Sequence, residues 1–194
     1  MEILFVRHGE SMGNSMRGPD SVFSGQTDWD LTERGYRQAA ALAGDPVFAD
    51  ADAYFCSDLK RTVETAETII RRDWIRDARL RERSLGDFEG RRVEEVKADP
   101  QYAKYFTDPA YLSFRHSFTV RTPGGENYAD VCRRVRPFLD ELSRSGARKA
   151  VVVAHFVSIR CMLKEIRGLS EEETLSVFIP NCSPIRAEYS RREK

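Results

Sequence analysis

Arginine and histidine side chains follow three short apolar runs in this chain. Arg7 and His8 end the first run, Arg61 lies just after the second, and His155 ends the third. If the three runs are neighbouring parallel strands, their carboxyl ends lie at one edge of a sheet, where open α/β sheets bind ligands. The helices that follow such strands offer free N–H groups and a positive dipole end, which favour an anion. The spacing therefore predicts one anion-binding pocket.

Two guanidinium groups and two imidazoles suit a phosphate group better than a metal ion. Fixed positive charge would repel a cation, whereas arginine forks bind phosphate oxygens bidentately. An imidazole nitrogen can attack phosphorus, and Glu82 could protonate the leaving-group oxygen and later take a proton from water. The arginines would neutralise the charge that magnesium neutralises in kinases and P-loop enzymes. These residues predict phosphoryl transfer on a small phosphorylated substrate, with no metal and no other cofactor.

The apolar patterning predicts strands and helices in alternation. Strands are predicted over 2–6, 51–58 and 149–155, with a last pair over 175–179 and 184–189. A helix is predicted over 31–44, with Thr32 as its N-cap and Gly44 past its end. Three more helices are predicted from shared faces: Leu59, Val63, Ala66 and Ile70; Tyr128, Val131, Cys132, Val135, Leu139 and Leu142; and Ile159, Met162, Leu163 and Ile166. In the second of these, Pro137 should kink or interrupt the helix near Arg136.

The alternation of strands and helices predicts an α/β sheet with helices on both faces. The 194 residues are expected to form a single domain over 1–194, with an irregular or mainly helical excursion at about 84–122. The 31 Lys and Arg residues equal the 31 Asp and Glu residues, so the overall charge gives no basic surface for nucleic acid. No apolar stretch approaches the roughly 18 residues needed to cross a bilayer. Four scattered cysteines without a CxxC pair predict reduced thiols and a cytoplasmic protein.

The stretch VRHGES at 6–11 resembles the signature of the histidine phosphatase superfamily, the group that includes the cofactor-dependent phosphoglycerate mutases. Further blocks resemble that family in the expected order: FSGQTDWDLTERG at 23–35, SDLKRTVETAE at 57–67, LRERSLGDFEG at 80–90, TPGGEN at 122–127 and VVVAHFVSIR at 151–160. The resemblance covers most of the chain and is weakest over 98–121.

The resemblance implies a role for each matching position. His8 is implied as the nucleophile, which becomes phosphohistidine during turnover, and Glu82 as the proton donor. Further matches are Arg7, Arg61 and His155 in the phosphate pocket, and Asn14, Ser24 and Gly25 along the substrate pocket of the mutase branch. The family fold is a three-layer α/β/α sandwich around a mostly parallel sheet, without a metal.

The residues after Glu82 favour the phosphatase branch over the mutase branch. Mutases typically have Glu-Arg-His-Tyr where this chain has Glu82-Arg83-Ser84-Leu85, and GDFEG at 86–90 resembles the phosphatases. The chain also lacks the longer insertion and extended C-terminal tail of typical mutases, which predicts easier access of water to a phosphohistidine. The favoured function is therefore metal-independent hydrolysis of a small phosphorylated metabolite, and a phosphoglycerate mutase is the alternative.

Phe156 stands where the family usually has glycine, directly after the second site histidine. Its backbone N–H stays available for a phosphate contact, whereas its ring would narrow the pocket or stack on a flat substrate. This departure supports a third hypothesis, a phosphate-binding regulatory protein with weak or no turnover. The remaining histidine, His116, is expected to be structural or exposed. The residues give no indication of the natural substrate or of the oligomeric state.

Overall fold

A single five-stranded sheet organises the computed structural model, which describes residues 1–190. The strands are β1 (Glu2–Arg7), β2 (Ala53–Cys56), β3 (Ile75–Arg76), β4 (Lys149–Ala154) and β5 (Ile185–Glu188). Their spatial order is β3-β2-β4-β1-β5, and only β5 runs antiparallel to its neighbour. The mostly parallel sheet confirms the expected fold class.

Short and long helices alternate with these strands. Within residues 1–190 the α-helices are α1 (Met12–Ser15), α2 (Glu33–Ala40), α3 (Lys60–Ile69), α4 (Val93–Ala98), α5 (Lys104–Thr107), α6 (Tyr128–Arg144), α7 (Phe156–Arg167) and α8 (Glu171–Ser176). None of the helices in this part of the chain is long and apolar enough to cross a membrane.

The sheet has three layers because the side chains of β1 alternate between two cores. Ile3 and Phe5 pack in a cluster with apolar residues of α6 and α7. Leu4 and Val6 pack in a second cluster that includes Ala39 of α2 and residues of α3. Helices therefore cover both faces of the sheet, as the α/β/α expectation requires.

The excursion between β3 and α6 is built from short helices around a third core. Phe88 is fully buried there, and its ring meets the rings of Tyr102, Tyr105 and Phe114 edge to face, with centroids 5.0 to 5.8 Å apart. Phe23 also joins this cluster, from the loop after α1. The aromatic core fixes the loops that lie over the carboxyl edge of the sheet.

One predicted strand is absent and one strand was not predicted, each for a physical reason. The segment 175–179 is not a strand, because α8 runs to Ser176 and the carbonyls that follow accept side-chain donors. The Val177 carbonyl accepts from Arg160 Nε at 2.6 Å, and the Ile179 carbonyl accepts from Arg7 Nη1 at 2.9 Å. The edge strand β3 was not predicted, since both of its residues are exposed and show no apolar pattern.

Helix predictions hold in position but not in detail. Thr32 caps α2 as predicted, yet α2 ends at Ala40, and residues 41–44 continue in tight turns with i to i+3 bonds. α6 continues through Pro137, so the predicted interruption is wrong. Pro137 and Arg133 are both exposed, and the Arg133 carbonyl that loses its helical partner can bond to water.

The buried face of α3 also differs from its apolar pattern. Leu59 and Ala66 are buried as predicted, but Val63 and Ile70 are only half-buried. Arg61, Thr62 and Thr65 are buried in the same turns, because their polar atoms bond inside the protein. This polar face of α3 points to the site.

Candidate active site

The three predicted strand ends lie side by side. In the register, Arg7 is paired with Ala154, and Cys56 with Val153. The polar residues that follow β1, β2 and β4 therefore emerge at the same edge of the sheet, as expected for neighbouring parallel strands. His8, Arg61 and His155 are 3%, 2% and 0% exposed, so this polar cluster is buried.

The tautomer of His8 is set by the backbone. Its Nδ1 lies 2.7 Å from the Gly9 carbonyl oxygen, which can only accept, so Nδ1 carries the proton. The lone pair then lies on Nε2, where Arg61 Nε donates at 3.3 Å. His8 thus presents an unprotonated nitrogen towards a guanidinium group, as required of a nucleophile in an anion site.

Arg61 is held by carbonyl oxygens and not by a carboxylate. Its Nη1 donates to the Thr27 carbonyl at 2.7 Å and its Nη2 to the Gly25 carbonyl at 2.9 Å. Gly25 has a positive φ of 45°, and a Cβ there would come within 2.6 Å of the Glu89 carboxylate. Glycine is therefore required where this loop delivers its carbonyl to Arg61.

His155 lies against His8 as the N-cap residue of α7. The two ring centroids are 5.0 Å apart with the planes at 60°. Both ring nitrogens of His155 are buried and have no hydrogen-bond partner among residues 1–190. A fully buried imidazole without partners is costly in a folded protein, so this side chain suits a polar ligand in the site.

Burial and positive charge keep both imidazoles neutral. The pKa of His8 is well below its usual 6.5, mainly because of burial and then because of Arg61 and Arg7. The pKa of His155 is also well below 6.5, from burial first and then from Arg61. Burial likewise lowers the pKa of Arg61, to about 10, which still leaves it charged at neutral pH.

Arg7 reaches the site from the last residue of β1. Its Nη1 donates to the Ile179 carbonyl, while its Nε is buried without a partner among residues 1–190. Its guanidinium carbon lies 5.1 Å from the centre of the Phe156 ring, and that of Arg160 lies 4.0 Å from the same centre. Cation–π contacts of this kind hold the two arginines in place.

Glu82 lies at the N-terminus of α7. Its Oε1 accepts from the Val157 N–H at 3.1 Å and from the Arg83 N–H at 2.8 Å. The free N–H groups and the dipole of a helix N-terminus favour a carboxylate there. From this position the charge of Glu82 raises the pKa values of Arg7 and Arg61, against the larger lowering by burial.

An open cavity of about 750 Å³ adjoins this cluster. His8, Arg61 and His155 lie behind its wall and, within residues 1–190, are not among its lining residues. Arg7 and Glu82 reach its wall, as do the predicted substrate-binding residues Asn14, Ser24 and Gly25. Phe156 is not among the lining residues in the described part of the chain, and its direct contact with a substrate stays a prediction. Lining residues that the sequence did not single out for the site include the charged and polar side chains of Glu10, Arg17, Arg83, Arg115, His116 and Asn181.

Two polar residues that sequence reasoning missed hold the His8–Gly9 peptide. Asn181 Nδ2 donates to the His8 carbonyl at 2.6 Å, and Thr65 Oγ1 accepts from the Gly9 N–H at 3.0 Å. Asn181 precedes Cys182, a non-glycine residue with a positive φ of 47°, and such strain clusters at functional sites. The spacing of Thr65 to Arg61, one helical turn, was the available signal for its burial beside the site.

Arg83 was also missed, although it follows Glu82 directly. It is 5% exposed, lines the cavity, and its Nε has no partner among residues 1–190. Its Nη atoms donate to the carbonyls of Phe114, Arg115 and Glu126 at 3.0 to 3.3 Å. His116 is exposed as expected, but it also faces the cavity and contacts the Tyr128 hydroxyl at 3.2 Å.

Comparisons with known proteins agree with this geometry. The family model of the histidine phosphatase superfamily (branch 1) matches residues 3–194. A probable phosphoglycerate mutase GpmB of Yersinia enterocolitica is 30% identical over 97% of this chain and 85% of its own length. The mycobacterial glucosyl-3-phosphoglycerate phosphatase Rv2419c is 29% identical with a TM-score of 0.78, over 95% of this chain and 88% of that chain.

The alpha-ribazole phosphatase of Shigella flexneri has the same fold, with a TM-score of 0.79 over 96% of this chain and 89% of its own, at 22% identity. A relative named as a probable mutase and a solved structure named as a phosphatase thus both match nearly the whole chain. The family match extends over the segments that supply His8, Arg61, Glu82 and His155. The chain therefore belongs to the histidine phosphatase superfamily, branch 1.

Proposed function

We propose that this protein is a metal-independent phosphomonoesterase that works through a phosphohistidine on His8. The observation that carries the proposal is the state of His8: a neutral imidazole with its proton on Nδ1 and its lone pair on Nε2, surrounded by guanidinium groups. The resemblance of the fold to a phosphatase at 29% identity supports it. Further support comes from the position of Glu82, which lines the same cavity as Arg7.

The first half-reaction transfers the phosphoryl group to the protein. His8 Nε2 attacks phosphorus, the bond from phosphorus to the ester oxygen breaks, and protonated Glu82 gives its proton to the departing alcohol. The Arg61 Nε–H group, which donates to His8 Nε2 in the structure, turns to one phosphate oxygen, and Arg7 binds another. These guanidinium groups neutralise the charge on the equatorial oxygens, a role that requires no metal here.

The second half-reaction releases phosphate. A water molecule gives a proton to the Glu82 carboxylate and attacks phosphorus, and the bond to Nε2 breaks, which restores the neutral imidazole. The His155 nitrogens, unpartnered within residues 1–190, are available to bond to a phosphate oxygen in both steps. One carboxyl group thus serves as acid and then as base.

Turnover of an aryl phosphate in excess EDTA tests the proposal, with His8→Ala as the inactive variant. Brief exposure to a phosphorus-labelled substrate should leave an acid-labile, alkali-stable label on the wild type and none on His8→Ala. His116→Ala is the matched control, because it removes a histidine that lines the cavity but lies outside the buried cluster, and it should keep the label. Loss of turnover in EDTA, or a label that survives in His8→Ala, would refute the mechanism.

A phosphoglycerate mutase is the second candidate. Arg83 and Arg115 line the cavity, and neither has a carboxylate within 4.0 Å among residues 1–190. Guanidinium groups whose charge no carboxylate cancels favour a substrate with a second acidic group, and a relative at 30% identity is named as a probable mutase. Interconversion of 2- and 3-phosphoglycerate far faster than their hydrolysis would support the mutase over the phosphatase.

A phosphate-binding protein with weak or no turnover is the third candidate. This candidate predicts tight binding of vanadate or phosphate without hydrolysis of any ester. Phe156→Gly would then restore turnover if the ring blocks the site. The contacts of that ring with Arg7 and Arg160 predict the opposite, since removal of the ring would release both guanidinium groups.

A further inference from the structure

The segment that carries Glu82 has no regular structure of its own. Residues 81–85 form neither helix nor strand, and they lie between two short 3-10 turns. A general acid must lie within hydrogen-bond reach of the leaving-group oxygen, and small displacements are costly. Something outside the segment must therefore hold the backbone of Glu82 in place.

Arg134, on the long helix α6, bonds to this backbone at three places. Its Nη1 donates to the Arg79 carbonyl at 2.7 Å and to the Arg81 carbonyl at 3.0 Å. Its Nη2 donates to the Glu82 carbonyl at 3.3 Å. One planar guanidinium group thus ties two carbonyls of the irregular segment, and one of the 3-10 turn before it, to a helix that is packed in the core.

Glu126 holds Arg134 in the required orientation. Its two carboxylate oxygens accept from Arg134 Nε and Nη2, both at 2.8 Å, and one of them also accepts from the Ser84 N–H at 2.9 Å. The side chains are 19% and 21% exposed, so the pair is largely shielded from water. Because the pair is neutral, Arg134 supplies donors without adding net charge beside Glu82.

We propose that Arg134, oriented by Glu126, is the positioning residue that holds the Glu82 carboxyl group within hydrogen-bond distance of the leaving-group oxygen. The inference rests on the proposed function. It differs from a purely structural role, because kcat/KM reports the first half-reaction and should fall only with leaving groups that need the acid. Glu82 itself bonds to the Val157 N–H of α7, so its side chain bridges two elements whose spacing Arg134 controls.

The readout is the dependence of the rate on the leaving group. An aryl phosphate with an acidic phenol needs little protonation, whereas an alkyl phosphate needs the general acid. For Arg134→Gln we expect kcat/KM to fall about 30- to 100-fold with the alkyl ester and less than about 3-fold with the aryl ester. Arg134→Lys keeps the charge but not the fork, and should show the same selective loss.

Controls separate the inference from its premise. Glu82→Gln should show the selective loss more strongly; if it does not, the acid assignment in the proposed function fails. Arg136 lies on the same helix as Arg134 but pairs with Glu165 of α7, away from residues 79–82, so Arg136→Gln should leave both rates unchanged. Equal losses with both esters in Arg134→Gln, or no loss, would overturn the inference while Glu82→Gln still supports the acid. If Arg134→Gln does not fold, Glu126→Gln provides the same comparison.

Discussion

Substitution of Thr65 tests how the fold holds Gly9 and, through it, the tautomer of His8. Its Oγ1 accepts from the buried Gly9 N–H at 3.0 Å and donates to the Arg61 carbonyl at 2.7 Å, and the residue is 0% exposed. Thr65→Val keeps the shape but leaves the Gly9 N–H without a partner. An unsatisfied buried donor costs about 1–3 kcal/mol, so we expect a loss of about 2–3 kcal/mol in the free energy of unfolding.

Thr62→Val is the matched control. Thr62 lies on the same helix and is also 0% exposed, but its hydroxyl only donates, to the carbonyls of Ser57 and Leu59. Its removal orphans no N–H group, and the Leu59 carbonyl keeps two backbone donors. We therefore expect about 1 kcal/mol for Thr62→Val, since a carbonyl that loses one partner is tolerated better than an orphaned N–H.

The two variants should also differ in activity. The Gly9 carbonyl fixes the proton on His8 Nδ1, so a mobile Gly9 weakens the tautomer that the nucleophile needs. A penalty of about 1–2 kcal/mol on that state corresponds to a loss of about 5- to 30-fold in kcat. Urea denaturation and aryl phosphate turnover measure both effects. The reasoning would be refuted if Thr65→Val had the same free energy of unfolding as Thr62→Val, or if its kcat equalled that of the wild type. Thr65→Ser keeps the hydroxyl group and should retain activity.

Three further predictions use the same assays. Because the pKa values of His8 and His155 are well below 6.5, the unfolded state binds more protons than the folded state under acid conditions; the free energy of unfolding should fall below about pH 6.5 by up to about 2.7 kcal/mol per pH unit. His155→Gln should remove up to about half of that slope in urea titrations, and an unchanged slope would contradict the assignment. Arg61→Lys should lower kcat/KM about 100-fold, because one ammonium group cannot span His8 Nε2 and two carbonyls; a near wild-type rate would show that charge alone suffices. Pro137→Ala should raise the free energy of unfolding by about 1–3 kcal/mol without changing turnover, because α6 already runs through this exposed position; a lower thermal midpoint would contradict this.

The sequence was sufficient to place the core of the site. β1 is an apolar run that ends at Arg7, β4 is an apolar run that ends just before His155, and their parallel pairing puts both ends at one edge of the sheet. Arg61 could be placed because α3 starts immediately after β2. The residues that meet there are therefore determined by strand order and by the direction of the chain.

The supporting residues could not be placed in the same way, because their partners are distant in sequence. Asn181 lies 173 positions from the carbonyl that it holds, and Arg134 lies 52 positions from Glu82. The composition of segment 175–179 favours a strand, yet two of its carbonyls accept hydrogen bonds from arginine side chains. Hydrogen bonds from side chains to backbone carbonyls leave no periodic signal in the sequence.

These bonds share one property that explains the charge of the site. Four arginines near the cavity, three of them buried and Arg7 half-buried, are held by backbone carbonyls and lack a carboxylate within 4.0 Å among residues 1–190. Arg7 is held by Ile179; Arg61 by Gly25 and Thr27; Arg83 by Phe114, Arg115 and Glu126; and Arg160 by Val177. A carboxylate partner would orient a guanidinium group equally well but would cancel its charge.

Carbonyl dipoles orient the group and leave the charge available for an anionic ligand. Burial of unpaired charge is unfavourable, and the lowered pKa values of Arg7, Arg61 and Arg83 reflect that cost, with burial as the main cause. Arg134 follows the opposite rule: it has a carboxylate partner, Glu126, and we assign it to position the backbone and not to bind phosphate. We therefore infer that the partner of each arginine separates the guanidinium groups available to an anionic ligand from the one that positions the backbone.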